Sequence, residues 1–204
     1  VPLNLELNNE KILLLSGPNA GGKTVVLKSL GLYALMTQCG LFIPAKEAQF
    51  PLFTRFMADI GDRQSMEDDL STFSAHIQNL AEIVSDADEK TLILLDELGT
   101  GTDPDAGAAL SQAILESLLK KKSTVVATTH LGSLKVWAAD EEGIVNGGMI
   151  FDSDALAPTY ELLIGTPGAS YALEISKRMG LNDDIITRSE ELVGDGSVSL
   201  ENIL

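Results

Sequence analysis

The sequence predicts one α/β domain built on a mostly parallel sheet flanked by helices. The chain has 204 residues, of which 45% are hydrophobic, so one domain can bury a core of its own. Short runs rich in Ile, Leu and Val alternate with helix-length amphipathic segments, as they do where parallel strands are covered on both faces. A glycine-rich segment also joins the first apolar run to the first helical segment. These three observations predict the fold class.

The first half of the chain supplies the elements that lead into and out of that glycine-rich segment. Pro44 and Pro51 interrupt the stretch after the first helix, which predicts short extended pieces there. The expected elements, in order, are a buried strand from Lys11 to Ser16, a helix from Gly22 to Cys39 ended by Gly40, a strand from Phe53 to Ile60, and an exposed loop from Asp59 to Ser71.

The second half repeats the alternation of strand and helix. Ser71 is a predicted N-cap, and Pro104 is a favoured first residue for a helix with Leu110, Ile114 and Leu118 on its core face. The expected helices are Thr72 to Asp86, the one from Pro104, Ser133 to Ala139, Ala169 to Met179 and Asp183 to Leu192. The expected strands are Thr91 to Asp96, Ser123 to Thr129, Gly148 to Asp152 and Thr159 to Ile164.

The ends of the chain and its single cysteine suggest its context. The sequence begins at Val1 rather than Met, directly in strand-like sequence, so we expect a fragment of a longer protein with no signal peptide. Residues 1–193 are the predicted domain, and 194–204 are predicted to lead towards further parts. Cys39 is the one cysteine and cannot form an internal disulfide, which favours a cytoplasmic location.

Charge and hydropathy exclude several classes of protein. The 14 basic and 30 acidic side chains give a net charge of −16, which would repel nucleic-acid phosphates, so strong DNA or RNA binding by this piece alone is not expected. A charged fraction of 22% beside so many hydrophobic residues argues against disorder. The apolar runs are far shorter than the roughly 18 to 20 residues of a transmembrane helix.

The glycine-rich segment has the pattern of a phosphate-binding loop. It reads Gly17, Pro18, Asn19, Ala20, Gly21, Gly22, Lys23 and Thr24: two glycines five positions apart, followed by lysine and a hydroxyl residue. Glycines allow successive backbone N–H groups to face a polyphosphate, and the following helix adds its positive dipole end. Lys23 is expected to reach the β and γ phosphates, and Thr24 to ligate a bound Mg²⁺ ion. Nucleotide binding is therefore predicted.

Polar residues end two of the other predicted strands, where ligands bind on an open parallel sheet. Asp96 and Glu97 follow one strand, and His130 follows the next. Asp96 is expected in the Mg²⁺ shell, while Glu97 is expected to orient and deprotonate the attacking water. His130 is a candidate γ-phosphate sensor, the alternative being an ordinary surface histidine. Trp137 and Tyr160 are predicted to be packing residues.

These motifs, in this order, resemble those of the ABC class of P-loop NTPases. GPNAGGKT at 17–24, STF at 71–73 and ELGTGTDP at 97–104 are similar to the ATPase domain of the MutS family. TTHLGSLK at 128–135 and PTYELLIGTPGASYALEISKRMGL at 158–181 resemble the branch that suppresses recombination and rescues stalled ribosomes, more than the mismatch-recognising branch. The resemblance covers Pro2 to about Leu192.

The resemblance implies roles for individual residues. It makes residues 17–24 the Walker A loop, Asp96 and Glu97 the Walker B pair, and His130 the switch histidine. It implies a head-to-tail homodimer in which Ser71 reaches the γ phosphate of the partner's ATP. Asn4, in the strand before the loop, is similar to a family position near the purine. An LSGGQ signature is missing from the sequence, which argues against a transporter subunit.

The function implied is Mg²⁺-dependent ATP hydrolysis that opens and closes the dimer. The moving parts would act on DNA, in mismatch repair or recombination suppression, or on stalled ribosomes, through domains that this chain does not contain. An alternative is a nucleotide-gated interaction module, in which ATP binding holds the dimer closed and turnover is small. No membrane partner is expected.

Overall fold

The computed structural model describes most of the chain. The described residues are 1–18, 21–61, 69–152, 155, 157–169 and 171–197, with the side chains of 69–72 and 193–197 left out of the description. Asn19 and Ala20 of the phosphate loop therefore lie outside the described residues, as do residues 198–204 of the predicted exit segment.

Strands and helices alternate through the described residues. The strands are β1 (Ile12–Ser16), β2 (Arg55–Asp59), β3 (Thr91–Leu95), β4 (Thr124–Thr128), β5 (Ile144–Asp152) and β6 (Ala157–Ile164). The helices are α1 (Lys23–Gln38), α2 (Asp69–Asp86), α3 (Pro104–Lys120), α4 (Gly132–Asp140), α5 (Ala172–Arg178) and α6 (Asp183–Ser197). No helix within the described ranges is both long and apolar enough to cross a membrane.

The strands form one mostly parallel sheet in the order β2-β3-β4-β1-β5-β6. Strand β1 lies between β4 and β5 and is parallel to both, with Ile12 opposite Val125 on one side and Ile144 on the other. Among the strands of the described residues, β6 alone runs antiparallel to its neighbour, β5. The order places the carboxyl ends of β1, β3 and β4 at one edge, and the predicted α/β fold is confirmed.

Helices cover both faces of the sheet because the central strands are apolar on both faces. Ile12 and Leu14 of β1 join a core with helices α2, α3 and α4, while Leu13 and Leu15 join a second core with α1. All five residues of β1 are fully buried. Burial on both faces explains why its sequence is a continuous apolar run rather than an alternating one.

Four expectations about the elements need correction. Helix α2 begins at Asp69, so Ser71 lies within its first turn and is not the N-cap, because Asp69 and Leu70 before it already belong to the helix. Leu110 is 42% exposed, because the core stripe of α3 runs through Ala108, Leu115 and Leu118 instead.

The other two corrections concern element ends. Strand β5 begins at Ile144 rather than Gly148, since two glycines inside it, Gly147 and Gly148, weaken the strand pattern without ending the strand. Helix α6 continues to Ser197, so the first part of the predicted exit segment is helical.

Candidate functional site

The backbone of the phosphate loop depends on its glycines. Strand β1 ends at Ser16, Gly17 follows at φ 126°, and Gly22 caps α1 at φ 94°, both in the region that disfavours side chains. Between them the Gly21 amide donates to the Pro18 carbonyl at 2.9 Å. The loop thus turns directly into the N-terminus of α1, where free N–H groups and the helix dipole favour an anion.

Lys23 lies under the loop rather than on the surface. Its side chain is buried, the residue being 4% exposed, and its Nζ donates to the Gly17 carbonyl at 2.7 Å. Burial lowers the pKa of Lys23 from its ordinary value, while the carboxylates of Glu97 and Asp96 act in the opposite direction. A buried cation near two carboxylates, at the N-terminus of a helix, is suited to a multiply charged phosphate chain.

Asp96 joins the phosphate-loop helix to the sheet. Its Oδ2 accepts from Thr24 Oγ1 at 2.9 Å, and its Oδ1 accepts from Thr128 Oγ1 at 2.6 Å. Its backbone amide donates to the Asp59 carbonyl at 2.9 Å. Asp96 is 9% exposed, so both oxygens are held in a largely buried position. The sequence predicts Thr24 and Asp96 at one site, and the hydrogen bond joins them, whereas Thr128 carries no sequence signal for this contact.

Glu97 has an unusual backbone that separates it from Asp96. Its φ is +51°, a region rare for residues other than glycine, asparagine and aspartate. The Glu97 amide donates to Thr128 Oγ1 at 2.7 Å, and its carbonyl accepts from Thr100 Oγ1 at 2.9 Å. These bonds hold a strained residue at the end of β3, as occurs at functional sites. Its side chain is half-buried and close enough to Lys23 to act on the pKa of that lysine.

His130 follows β4 at the same edge of the sheet and is exposed. The residue before it, Thr129, is buried and anchors the turn, because its hydroxyl donates to the Leu98 carbonyl and accepts from the Leu131 amide, each at 3.2 Å. The turn leaves His130 exposed at the surface, as both a γ-phosphate sensor and an ordinary surface histidine would be, so its role stays a prediction.

The structure leaves the predicted ligand contacts of Asn4 and Ser71 untested, although Asn4 does not lie in a strand as the sequence suggested. Asn4 is exposed and lies before β1 outside any strand, and the chain bends at Asn8 and Asn9, whose amides both donate to the Glu10 carboxylate. Ser71 lies in the first turn of α2, and its side chain is outside the described set. Among the described residues, no hydrogen bond joins Asn4 to the phosphate loop, and the role of Ser71 in trans stays a prediction.

The structure adds a second group of residues that the sequence analysis did not assign. Lys135 on α4 donates from Nζ to the Gly168 carbonyl at 2.9 Å, and the Gly168 amide donates to Ser16 Oγ at 2.7 Å. A Cβ added at Gly168 would lie 2.7 Å from the Gly17 Cα. Gly168 therefore packs directly on the start of the phosphate loop. This approach joins positions 152 residues apart, which no local pattern reveals.

The sequence is similar to one protein family and to curated proteins that carry one name. Residues 13–195 match the family model described as MutS domain V. The chain is 52% identical over 186 residues to the protein named Endonuclease MutS2 from Thermus thermophilus, covering 91% of this chain and 25% of that protein. It is 50% identical over 206 residues to the protein of the same name from Gemmatimonas aurantiaca, covering 100% of this chain and 25% of that one.

A third relative, the Endonuclease MutS2 of Ruminiclostridium cellulolyticum, is 52% identical over 193 residues, covering 94% of this chain and 24% of its own length. The chain thus spans about a quarter of the length of the curated relatives it matches. The phosphate loop, the Asp96 and Glu97 pair and His130 all lie within the matched range. The chain therefore belongs to the MutS family, in which it corresponds to domain V, an ATPase domain.

Proposed function

We propose that this domain binds ATP with Mg²⁺ and hydrolyses its γ-phosphate bond, using Lys23, Thr24, Asp96, Glu97 and His130. The observation that carries the proposal is the buried link from Thr24 through Asp96 to Thr128. It fixes the N-terminus of α1, where we propose that the phosphates bind, against the end of β3, where Glu97 directly follows Asp96. A chain that only needed a tight connection between strand and helix would have no use for this buried carboxylate beside a buried lysine.

Each residue has a separate role in the proposed reaction. The loop amides and Lys23 hold the β and γ phosphates and stabilise the charge that develops on them. Glu97 orients a water molecule for in-line attack and accepts its proton. His130 contacts the γ phosphate and reports its presence to the turn that follows β4.

The donors at the site fit Mg²⁺. Thr24 Oγ1 and Asp96 Oδ2 are hard oxygen atoms 2.9 Å apart, and Mg²⁺ commonly takes one or two such protein groups together with phosphates and water. When bound, Mg²⁺ would neutralise charge on the β and γ phosphates. Thr24 and Asp96 are the residues that would hold it, while Thr128 keeps the second Asp96 oxygen in place.

The proposed mechanical role depends on a second copy. MutS-family ATPase domains typically dimerise, and we propose a head-to-tail homodimer in which Ser71 of each copy reaches the γ phosphate bound by the other. The conformational change would act through the parts of a longer protein, on branched or mismatched DNA or on stalled ribosomes. The exposed thiol of Cys39 suits the reducing cytoplasm.

Glu97→Gln tests the chemical role. We expect ATP affinity to be retained and steady-state phosphate release to fall by at least about 100-fold, because general base catalysis is lost while the binding groups remain. Glu89→Gln, at an exposed position distant from the loop, is the matched control and should keep the normal rate. Normal phosphate release by Glu97→Gln would contradict the assignment of the base.

Lys23→Ala tests the binding role, with exposed Lys90→Ala as its control. We expect ATP affinity itself to fall, since the buried cation is removed from the phosphate site.

Single-turnover kinetics, combined with a dimerisation assay, tests whether ATP hydrolysis or ATP binding alone controls the dimer. Repeated turnover supports a hydrolysis-driven cycle, whereas long-lived ATP dimers with negligible turnover would favour the nucleotide-gated module.

A further inference from the structure

A largely buried polar pair joins strand β2 to helix α2, and the reaction proposed above does not use it. Asp59 is the last residue of β2, and its Oδ2 contacts Nδ1 of His76 on α2. The two side chains are 17% and 8% exposed. Asp59 Oδ1 accepts from Asn79 Nδ2 at 2.9 Å, and the same Nδ2 donates to the Ala58 carbonyl at 3.3 Å. One face of α2 therefore holds both oxygens of a carboxylate.

Helix α2 does not need this pair to stay on the sheet. Its second half buries Leu80 and Ile83, which are 3% and 1% exposed, in a core shared with the strands. Apolar side chains gain free energy from burial, whereas a carboxylate and an imidazole must first give up their water. Exchanging a buried charged pair for apolar residues is often neutral or even stabilising. The polar pair therefore favours a role that depends on its geometry.

The pair lies one hydrogen bond away from the carboxylate proposed to ligate Mg²⁺. The Asp96 amide donates to the Asp59 carbonyl at 2.9 Å. Asp59 lies opposite Leu95 in the parallel pairing of β2 with β3, so this bond continues the pairing by one residue. Because β2 is the end strand of the described sheet, it has a neighbouring strand on one side, and α2 supports its carboxyl end through the pair.

His76 also faces the segment that follows Glu97. It lines a small cavity together with Leu98 and Thr100, and Thr100 Oγ1 donates to the Glu97 carbonyl at 2.9 Å. Helix α2 thus contacts the chain on both sides of the two acids, through the strand that holds the Asp96 amide and through the segment after Glu97. A displacement of α2 would reach the acids from both directions.

We propose that His76 and Asp59 are positioning residues, which hold Asp96 in the geometry that ligates Mg²⁺ and make this geometry depend on the placement of α2. Neither residue needs to touch the ion or the nucleotide. The proposal rests on the proposed function, because it requires Mg²⁺ and ATP at Asp96. Ser71 lies on the same helix, so whatever engages that end of α2 would change Mg²⁺ binding in the same chain.

The test measures ATP affinity by calorimetry, once with Mg²⁺ and once with EDTA. The ratio of the two affinities, here called the Mg²⁺ gain, reports how well Asp96 and Thr24 hold the ion and requires no turnover. The variants are His76→Ala, Asp59→Ala, the double variant, and His76→Asn. Asparagine keeps a side-chain N–H donor close to the position of Nδ1, and Asn79 already donates such a group to the same carboxylate.

Two control variants separate positioning from a general loss of stability. Ile83→Val loosens the packing of α2 on the core without touching the pair. Gln78→Ala changes an exposed side chain on the same helix. Urea denaturation of every variant gives its free energy of unfolding, so that changes in the Mg²⁺ gain can be compared at similar stability.

We expect His76→Ala and Asp59→Ala to bind ATP about tenfold more weakly with Mg²⁺, and as the native chain does with EDTA, because only the support of a metal ligand is removed. The double variant should be no weaker than either single variant, since the two residues act as one unit. His76→Asn should regain most of the Mg²⁺ gain. Ile83→Val should unfold more easily yet keep the native gain, and Gln78→Ala should change neither.

Four results would overturn the proposal: a native Mg²⁺ gain in His76→Ala, equal weakening with Mg²⁺ and with EDTA, losses that multiply in the double variant, or a reduced gain in Ile83→Val. If the native chain binds ATP with no gain from Mg²⁺, the positioning role is wrong while the phosphate loop stands. If it binds ATP under neither condition, the proposed function itself fails and the positioning role fails with it.

Discussion

The two sides of β1 position the phosphate loop by opposite means. On the β4 and β3 side, buried polar side chains join through hydrogen bonds, with Asp96 held by both Thr24 and Thr128. On the β5 and β6 side, the loop is held mainly by close backbone approach, where Gly168 packs on Gly17. The β4 and β3 side, here called the polar side, requires side chains with particular polar groups. The β5 and β6 side, here called the glycine side, requires residues without side chains.

The two sides are expected to have different roles: the polar side carries the groups proposed for hydrolysis, and the glycine side holds the phosphate loop in position. The groups proposed to act on the γ phosphate lie on the polar side, where hydrogen bonds fix the oxygens of a carboxylate. The glycine side restricts the position of the loop, because the backbone of Gly168 packs directly on the backbone of Ser16 and Gly17. Variants on the two sides should therefore fail differently: the polar side in turnover, and the glycine side in stability and binding.

The largest effect on stability is expected from Gly168→Ala. Its Cβ would lie 2.6 Å from the Ser16 carbonyl oxygen and 2.7 Å from the Gly17 Cα and amide nitrogen, and none of these backbone atoms can rotate away. We expect a loss of about 3 kcal/mol in the free energy of unfolding, measured by urea denaturation, together with weaker ATP binding. Gly132→Ala is the matched control, because a Cβ there meets nothing within 4 Å. Equal stabilities of the two variants would show that the glycine side is not tightly packed.

A smaller loss of stability, with a larger effect on turnover, is expected from Thr128→Val. The change keeps the shape but removes the hydroxyl that donates to Asp96 Oδ1 and accepts from the Glu97 amide. We expect unfolding to become easier by about 2 kcal/mol and phosphate release to slow, while ATP still binds. Thr124→Val, on the same strand but half-buried at its start, is the control. Unchanged turnover in Thr128→Val would mean that the polar side does not position Glu97.

The smallest effect is a pH dependence at Lys135, which reaches the glycine side from α4. Burial lowers the pKa of Lys135 below 10.5, so between the lowered pKa and 10.5 the unfolded chain binds more protons than the folded one. Lys135 therefore makes the free energy of unfolding rise with pH across that interval. In Lys135→Met this rise should be smaller, as measured by denaturation at a series of pH values from neutral upwards. Lys90→Met, at an exposed lysine, should keep the native profile, and an identical profile for Lys135→Met would contradict the prediction.

Much of the polar side could be predicted from sequence because its signals are local. A glycine pattern followed by Lys23 and Thr24, and acids directly after an apolar run, each combine residue type with strand position within a few residues. Parallel strands end at one edge, so the meeting of Thr24 with Asp96 follows from the fold class. Thr128 was missed although it ends the strand before His130, since threonine is also an ordinary strand residue.

The glycine side could not be predicted, because its contacts join distant parts of the chain. Gly147 and Gly148 look like strand breakers in sequence, yet β5 runs through them because β1 and residues 166–168 approach too closely for side chains. Lys135 carries no local pattern that indicates a phosphate loop nearby, and Tyr160, predicted to be a packing residue, is 56% exposed on β6. Their placement depends on how α4 and β6 pack, which sequence periodicity does not define.

The backbone at Glu97 has a consequence for any attempt to make this domain more robust. A glycine or asparagine would occupy its φ of +51° more comfortably than glutamate does. Selection for thermal stability alone should therefore replace Glu97. The more stable protein that results would have lost the proposed base for hydrolysis. If Glu97 has the proposed role, thermal stability and ATP turnover place opposite demands on one residue, and a screen for stability alone would select domains that no longer hydrolyse ATP.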